Sequence, residues 1–508
     1  MQDLNIRVSQ GVDTPAVPYQ ARHFINGVFL DSEDGQTSNR ISPSHGTVAS
    51  QAALGSGIET RAAIKAARVA FDDRRWRGLS GKARAVVLNN VADLIEHNQE
   101  RLALIETLET GKPISQSRNE CGGAADLWRY AAMLARTAHG DSHNALGDDI
   151  LGVVVKEPIG VVSIITPWNF PFWILSQKLP FALAAGCTCV VKPSEFTPST
   201  TAMLGDLLMQ AGLPAGVCNI VLGYGDPVGS LMSTHEDIDM VSFTGSTAVG
   251  KTITKSSGDT LKKVALELGG KNPQVIFPDA DLASASDAVV FGVYFNAGQC
   301  CNSSSRILVH EDIADDFVSK VVALSRKVVF GNPLHPDTQV GAIVTEEHKT
   351  KIDNFVKAAM IEGAEVCLGG DVLNIEGLSD QFYQPTILRG VTSDMAIARE
   401  EVFGPVLTVQ TFKTFDQAIA LANDTIYGLS AGVWSESTHI CLDFCRRVEA
   451  GTVWTNTWMD GYPELSFGGM KQSGQGREIG RYGFEEFLEV KSMVMRIGRT
   501  RTPWVNTA

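Results

Sequence analysis

The chain has 508 residues, 44% apolar and 20% charged, so it is too long for one hydrophobic core and is expected to form two or three domains. Its 43 basic and 57 acidic residues give a formal charge of −14, which argues against a nucleic-acid or anionic-membrane surface. Nine cysteines without paired CxxC spacing predict free thiols in a reducing compartment, and ten histidines without HxH or HExxH spacing imply no metal.

The first 17 residues have neither the apolar core of a signal peptide nor an Arg-rich amphipathic pattern. The longest apolar stretch, thirteen residues between Lys178 and Lys192, is too short to span a bilayer. The expectation is a cytoplasmic protein that avoids membranes and nucleic acid. Residues 1–50 are polar and turn-rich, with a short hairpin predicted at 24–29 around Asn26-Gly27. Residues 58–138 read as mostly helical, with apolar periodicity at 62–71, 83–97 and 100–110, where Gly111-Lys112-Pro113 stops the third helix.

From 160 onward the pattern changes to buried strands alternating with helices. Strands are predicted at 160–166, 188–191, 217–222, 240–244 and 264–267, with helices at 173–185, 198–211 and 227–233 between them. Such alternation implies a parallel sheet covered on both faces, an α/β class. A second alternating series covers about 274–456, with strands at 306–310, 407–412, 432–434 and 451–456 and helices at 313–328 and 415–423. The boundary between the two series falls near Gly269-Gly270. Two extended stretches, 146–157 and 489–497, belong to neither series and are available to pair with another subunit.

Between the two sheets lies the chemistry. Residues 281–296 carry apolar side chains at helical spacing, Gly298 breaks the helix, and Gln299-Cys300-Cys301 follows in a loop. A loop thiol is either a small buried hydrophobe or a nucleophile. Glu267, where a predicted strand runs into Gly269-Gly270, is either a solvated strand end or a base. Together a thiol and a carboxylate are the parts needed for covalent catalysis followed by hydrolysis. A competing pattern is GSTAVGKT at 245–252, which satisfies GxxxxGK[ST] after an apolar strand. Val275-Ile276-Phe277 before Asp279 offers an acidic strand for magnesium, so a P-loop NTPase is the alternative. Under either reading a helix beginning near Ser246 presents free N–H groups to phosphate.

Seven collinear motifs decide between them: TPWNFP at 166–171, KPSE at 192–195, FTGSTAVG at 243–250, ELGGKNP at 267–273, GQCC at 298–301, EEVFGPV at 400–406 and FGGMKQSGQGRE at 467–478. In these the chain resembles the aldehyde dehydrogenase superfamily, nearest to its betaine-aldehyde and aminoaldehyde members. The resemblance implies a Rossmann-like NAD-binding domain from 1–137 and 158–268, a catalytic α/β domain at 269–480, and a small β oligomerisation arm from 138–157 and 481–508. It further implies a homodimer or homotetramer.

By the same resemblance Cys301 is the nucleophile, Asn169 an oxyanion donor and Glu267 the general base, with Lys178 and Glu478 relaying its proton. NAD would rest on Thr166, Pro167, Trp168, Lys192, Ser194, Glu195, Gly225, Phe243, Gly245, Ser246, Leu268, Glu401 and Phe403. Lys192 and Glu195 would take the adenosine ribose, where a carboxylate repels a 2′-phosphate and so favours NAD over NADP. A thiolate at Cys301 calls for electropositive surroundings, the nicotinamide itself among them. Phe170, Trp173, Gln177, Phe295, Cys300, Trp458 and Phe467 fall at substrate-tunnel positions, although an aromatic set of this kind also suits a core. Gln177 departs from relatives that carry Arg or Trp there. With the acidic, aromatic stretch 458–464 at the tunnel mouth, it points to neutral or cationic aldehydes.

Overall fold

A computed structural model describes residues 7–9, 18–498 and 504–505. The first sheet has eight strands, in the order Gly474–Gln475, Lys263–Glu267, Met240–Thr244, Val161–Ile165, Thr188–Lys192, Cys218–Ile220, His23–Ile25, Val28–Leu30. Its five central strands are parallel, and the flanking ones are antiparallel. Of these five, Val161–Ile165 comes first in the chain, with later strands added to both sides. The order therefore reverses between Val161–Ile165 and Met240–Thr244, and open α/β sheets bind ligands at the carboxyl ends of strands at such a point.

Central strands such as Val161–Ile165 and Thr188–Lys192 are buried at every residue because helices cover both faces. One face carries Gly81–His97, Ile114–Thr137, Pro171–Ala185 and Ser199–Gln210; the other carries Gly57–Asp72, Ser230–Thr234 and Thr247–Ser257. Local chemistry sets the ends of these helices. Ser56 and Glu59 form a capping box for Gly57–Asp72, and left-handed Gly186 ends Pro171–Ala185.

The second sheet has seven strands, Glu365–Leu368, Thr386–Arg389, Val406–Phe412, Arg306–His310, Pro273–Ile276, Ser430–Trp434 and Thr452–Thr455, all parallel except the first. Two connections cross between the halves. Arg7–Ser9 pairs with Val329–Gly331, and Gly474–Gln475 returns from the far end of the chain to pair with Lys263–Glu267.

The two unassigned extended stretches pair with each other within the chain. Ile150–Pro158 runs antiparallel to Leu488–Arg496 and to Asp141–His143 in a separate three-stranded sheet. Leu488–Arg496 forms one edge of that sheet and is exposed almost throughout. The residues beyond 498 assigned to this arm lie outside the described ones, apart from 504–505. Among the described residues no helix is long and apolar enough to cross a membrane, and no group of three or more His, Cys, Asp or Glu is placed to hold a metal.

Candidate active site

Asp281 caps the helix Leu282–Tyr294, which points its carboxyl end at the gap between the sheets. The next turn is strained. Asn296, Ala297 and Gly298 all have positive φ, at 50°, 55° and 71°. Two consecutive left-handed residues with side chains persist only where their surroundings fix them. Asn296 does so by donating Nδ2 to Asn169 O at 3.0 Å and to Gln299 O at 3.2 Å. Gln299 is tied at both ends of its amide, to Asn296 O and Ala342 O through Nε2 and to Val344 N through Oε1.

This turn delivers Cys300 and Cys301 to the site. Asn169, only 3% exposed, donates Nδ2 to Gln299 O at 3.1 Å and so faces the cysteine loop. Asn272 fixes the same loop from below, donating to Cys301 O at 2.7 Å and Ser303 O at 3.0 Å. Neither Asn272 nor Asn296 was singled out from the sequence, although Asn272 lies within the ELGGKNP motif. In the chain itself a hydrogen bond with Cys300, burial and the charge of Glu401 all push the Cys301 thiol well up.

Glu267 ends the strand Lys263–Glu267. Its carbonyl accepts from Gly245 N, while both carboxyl oxygens are buried without a hydrogen-bond partner among the described residues. Gly468 makes room for it, since a Cβ there would stand 2.6 Å from Glu267 Oε1. Burial first, and then the charge of Glu478, raise the Glu267 carboxyl well above the carboxylate range, with Lys178 acting against them. Cys301 is close enough to contribute to the same rise. Lys178 pairs with Glu478 in the interior and donates to Ser242 Oγ at 3.1 Å. Burial keeps Glu478 raised despite that pairing.

The sheet's reversal point holds the residues expected at the cofactor. Thr166, Pro167 and Trp168 leave Val161–Ile165, and Thr166 Oγ1 is buried without a partner. Across the crevice Ser246 caps Thr247–Ser257, accepting from Val249 N, and the Phe243 ring lies against Gly245. Leu268 packs beneath Gly250. Lys192 Nζ donates to Pro193 O at 3.1 Å and lies 3.7 Å from Glu195 Oε2, with Gly229 against its stem. Ser194 instead shapes the turn, its Oγ accepting from Phe196 N, and exposed Gly225 opens the turn Gly225–Gly229, which buries Val228 and Gly229. These features (a capped helix end, an orphaned hydroxyl and a lysine–carboxylate pair) fit a dinucleotide along the crevice.

On its far side Glu401 accepts from Gly270 N at 3.0 Å, and burial lifts its carboxyl to about 7. Phe403 meets Trp168 edge-on at 5.5 Å, and His348, not anticipated from the sequence, joins both rings and bonds Phe403 O at 2.7 Å. Burial lowers His348 to about 4, so it serves as a neutral ring in this corner.

The P-loop alternative fails on geometry. Thr247–Ser257 is already helical before Gly250-Lys251-Thr252, so these residues lie inside the helix and not at its phosphate-facing end. Lys251 Nζ donates to Gln472 Oε1 at 2.7 Å, and Thr252 Oγ1 to Ala248 O. Asp279 accepts from Ser435 Oγ and Ser437 N, both through Oδ2.

Of the aromatic set, Phe170 stacks on Phe295 at 5.7 Å and packs with Ile174, Cys300, Trp173 and Met459. Trp458 is placed differently: 4% exposed, it fills the space left by Gly292 and Gly432 beside Trp454. Its neighbour Met459 reaches the pocket instead. Phe467 pairs by backbone with Glu478, and Gln177 is half-buried on Pro171–Ala185.

The family model described as Aldehyde dehydrogenase family matches residues 29–493. The chain belongs to the aldehyde dehydrogenase family. Among its relatives, a betaine aldehyde dehydrogenase from Bacillus subtilis is 40% identical over 95% of this chain and 99% of its own length. An aldehyde dehydrogenase from Enchytraeus buchholzi is 42% identical over 93% of this chain and 95% of its own. Among solved aldehyde dehydrogenases, an NAD-dependent one from Sinorhizobium meliloti superposes with a TM-score of 0.96 at 48% identity, over 99% of this chain and 100% of that one. A betaine aldehyde dehydrogenase from Staphylococcus aureus in complex with NAD+ gives 0.93 at 38% identity, over 96% of this chain and 98% of that one.

Proposed function

We propose that this aldehyde dehydrogenase oxidises a neutral or cationic aldehyde to its carboxylic acid with NAD, through a thioester on Cys301. The observation that carries this reading is the convergence of the Cys301 loop and the Asn169 amide beside a buried carboxylate, Glu267, whose oxygens have no partner among the described residues. Such a carboxylate is costly to fold, and a base awaiting a water is a use for it.

Cys301 gives up its proton to solvent water, and its sulfur bonds to the aldehyde carbon as the carbonyl π bond breaks, leaving an oxyanion. The second N–H of Asn169 and the Cys301 backbone N–H are the donors for that charge. NAD, when bound, supplies the acceptor for the hydride. The residues disposed to hold it are Thr166, Ser246, Lys192, Glu195, Glu401 and Phe403. The Glu195 carboxylate beside Lys192 supports NAD over NADP, because it would repel a 2′-phosphate. Glu267 then takes a proton from water as the hydroxide attacks the thioester carbon, and the acid leaves as the C–S bond breaks. The buried Lys178–Glu478 pair lies next to Glu267 and supports an outward path for that proton.

The preference for neutral or cationic aldehydes rests on Gln177, which lacks a charge to greet an anionic tail, and on exposed Asp460, Tyr462 and Glu464 after Trp458 and Met459. The exposed edge strand Leu488–Arg496 supports assembly with a second copy of the chain, as a homodimer or homotetramer. Pure protein mixed with NAD and an aldehyde is expected to form NADH, and with ATP and magnesium to release no phosphate. Phosphate release without NADH would overturn the proposal.

A further inference from the structure

One charged cluster outside the proposed machinery is sealed in the interior and touches the pocket. Glu106 belongs to the helix Gln99–Thr110, Lys112 follows the left-handed Gly111 that ends it, and Glu120 belongs to Ile114–Thr137. Lys112 Nζ donates to Glu106 Oε1 at 3.3 Å and also to Glu120 Oε1. The side chains of Lys112 and Glu106 are fully buried, and that of Glu120 nearly so. Burial and the neighbouring Glu106 raise the Glu120 carboxyl well above its ordinary range.

A buried trio of this kind seldom improves on apolar residues of the same size, so its placement calls for a reason. The same Lys112 Nζ lies over the Phe170 ring, 4.4 Å from its centroid. Phe170 stacks on Phe295 and packs against Cys300, and it directly follows Asn169. The next turn of chain binds the cluster to the cysteine loop a second way. Gly111 O accepts from Ala342 N, and Ala342 O accepts from Gln299 Nε2.

We infer that Lys112, clamped by Glu106 and Glu120, is a positioning residue for the aldehyde pocket, fixing the Phe170 ring and with it the Asn169 amide. The inference rests on the reading of Phe170 and Asn169 as pocket residues. An ammonium over a ring restrains both its tilt and its depth, which a neutral side chain of similar length does not. The cluster touches the pocket wall at Phe170, and the hydrogen bonds and ring contact of Lys112 involve none of the residues proposed to hold NAD. Its loss should therefore affect the aldehyde and spare NAD.

The test is steady-state kinetics with a neutral aldehyde, together with NAD affinity by fluorescence titration, on the full chain. Lys112→Met is expected to lower aldehyde kcat/KM about tenfold, mostly through KM, with NAD affinity within about twofold of the parent. Lys112→Arg keeps a cation over the ring and is expected to retain most of the activity. Glu106→Gln removes the charge that balances Lys112 and should follow Lys112→Met.

If Lys112→Met does not fold, Glu106→Gln, Phe170→Leu and their double variant decide the matter. Their effects on kcat/KM are expected to be non-additive, because Phe170→Leu removes the ring that the cation holds. Unchanged aldehyde kinetics in Lys112→Met, an equal loss of NAD affinity, or an additive cycle overturns the inference. Turnover that survives Cys301→Ala would overturn the reading of the pocket itself, whatever the Lys112 variants do.

Discussion

Glu267→Gln separates the two consequences of burying an unpaired carboxylate, one for rate and one for stability. In the proposed cycle the amide keeps the shape of the site but cannot take a proton from water. Loss of a positioned general base costs about 10²–10⁴-fold in rate, and only deacylation should bear it. Stopped-flow mixing with NAD and aldehyde is then expected to give a burst of NADH close to one per active site, followed by slow turnover.

The stability arm follows from the direction of the shift. The Glu267 carboxyl is raised above its ordinary value of 4.5 in the folded chain. Its protonated form therefore supports the fold fully below pH 4.5. That support is lost as pH rises toward the folded value, by about 1.4 kcal/mol per pH unit. Glutamine does not titrate. Glu267→Gln and the parent should thus be equally stable near pH 4.5, with the variant gaining as pH rises through the neutral range. Thermal melts at half-unit pH steps measure the difference. A variant with no burst and a slowed first turnover would place Glu267 in thiolate formation instead. A stability difference that does not grow with pH would refute the burial argument.

The other expectations are more direct. Cys301→Ala should abolish turnover and leave NAD affinity near normal, whereas Cys300→Ala should be active with a changed KM; mass spectrometry after labelling with a thiol-reactive aldehyde analogue should find the adduct on Cys301. Between succinic semialdehyde, 4-aminobutyraldehyde and a neutral aldehyde of equal length, the anionic substrate should give the lowest kcat/KM. The margin should be less than about tenfold for each exposed carboxylate, and a lead for succinic semialdehyde would show that a cation elsewhere meets its tail. Val490→Lys with Val494→Lys places two charges on the exposed edge strand Leu488–Arg496. Light scattering should then show a smaller assembly than the parent forms, and an unchanged mass would remove this edge from the interface.

Much of the local structure could be read directly because it depends on neighbours in sequence. Met240–Thr244, Arg306–His310 and Phe415–Asn423 have the bounds expected of them, and the Asn26-Gly27 hairpin is present. What was not legible depends on distant parts of the chain. Nothing in the composition of Gly474–Gln475 marks it as a strand, since its pairing with Leu266 and Glu267 defines it. The same limit applied to the site. Trp458 and Met459 are adjacent and both apolar, and only the missing side chains at Gly292 and Gly432 decide that the tryptophan turns into the core. The contacts of Cys301 with Cys300 and Glu401 were not legible, because tertiary structure fixes them.

The return of Gly474–Gln475 to the edge beside Glu267 bears on when this protein becomes an enzyme. The first sheet can pair its central strands once residue 267 has been made. Yet the carboxylate stays open to water on that edge until more than two hundred further residues have been synthesised. Gly468 must arrive to frame it, Gly474 to pair with its backbone, and Glu478 to meet Lys178 behind it. A nascent chain released before that point would carry a nearly complete nucleotide-binding sheet with an ordinary, hydrated glutamate at its rim. The proposed base is thus matured by the last tenth of the chain, and a ribosome-bound intermediate would present much of its cofactor crevice before that carboxylate is enclosed.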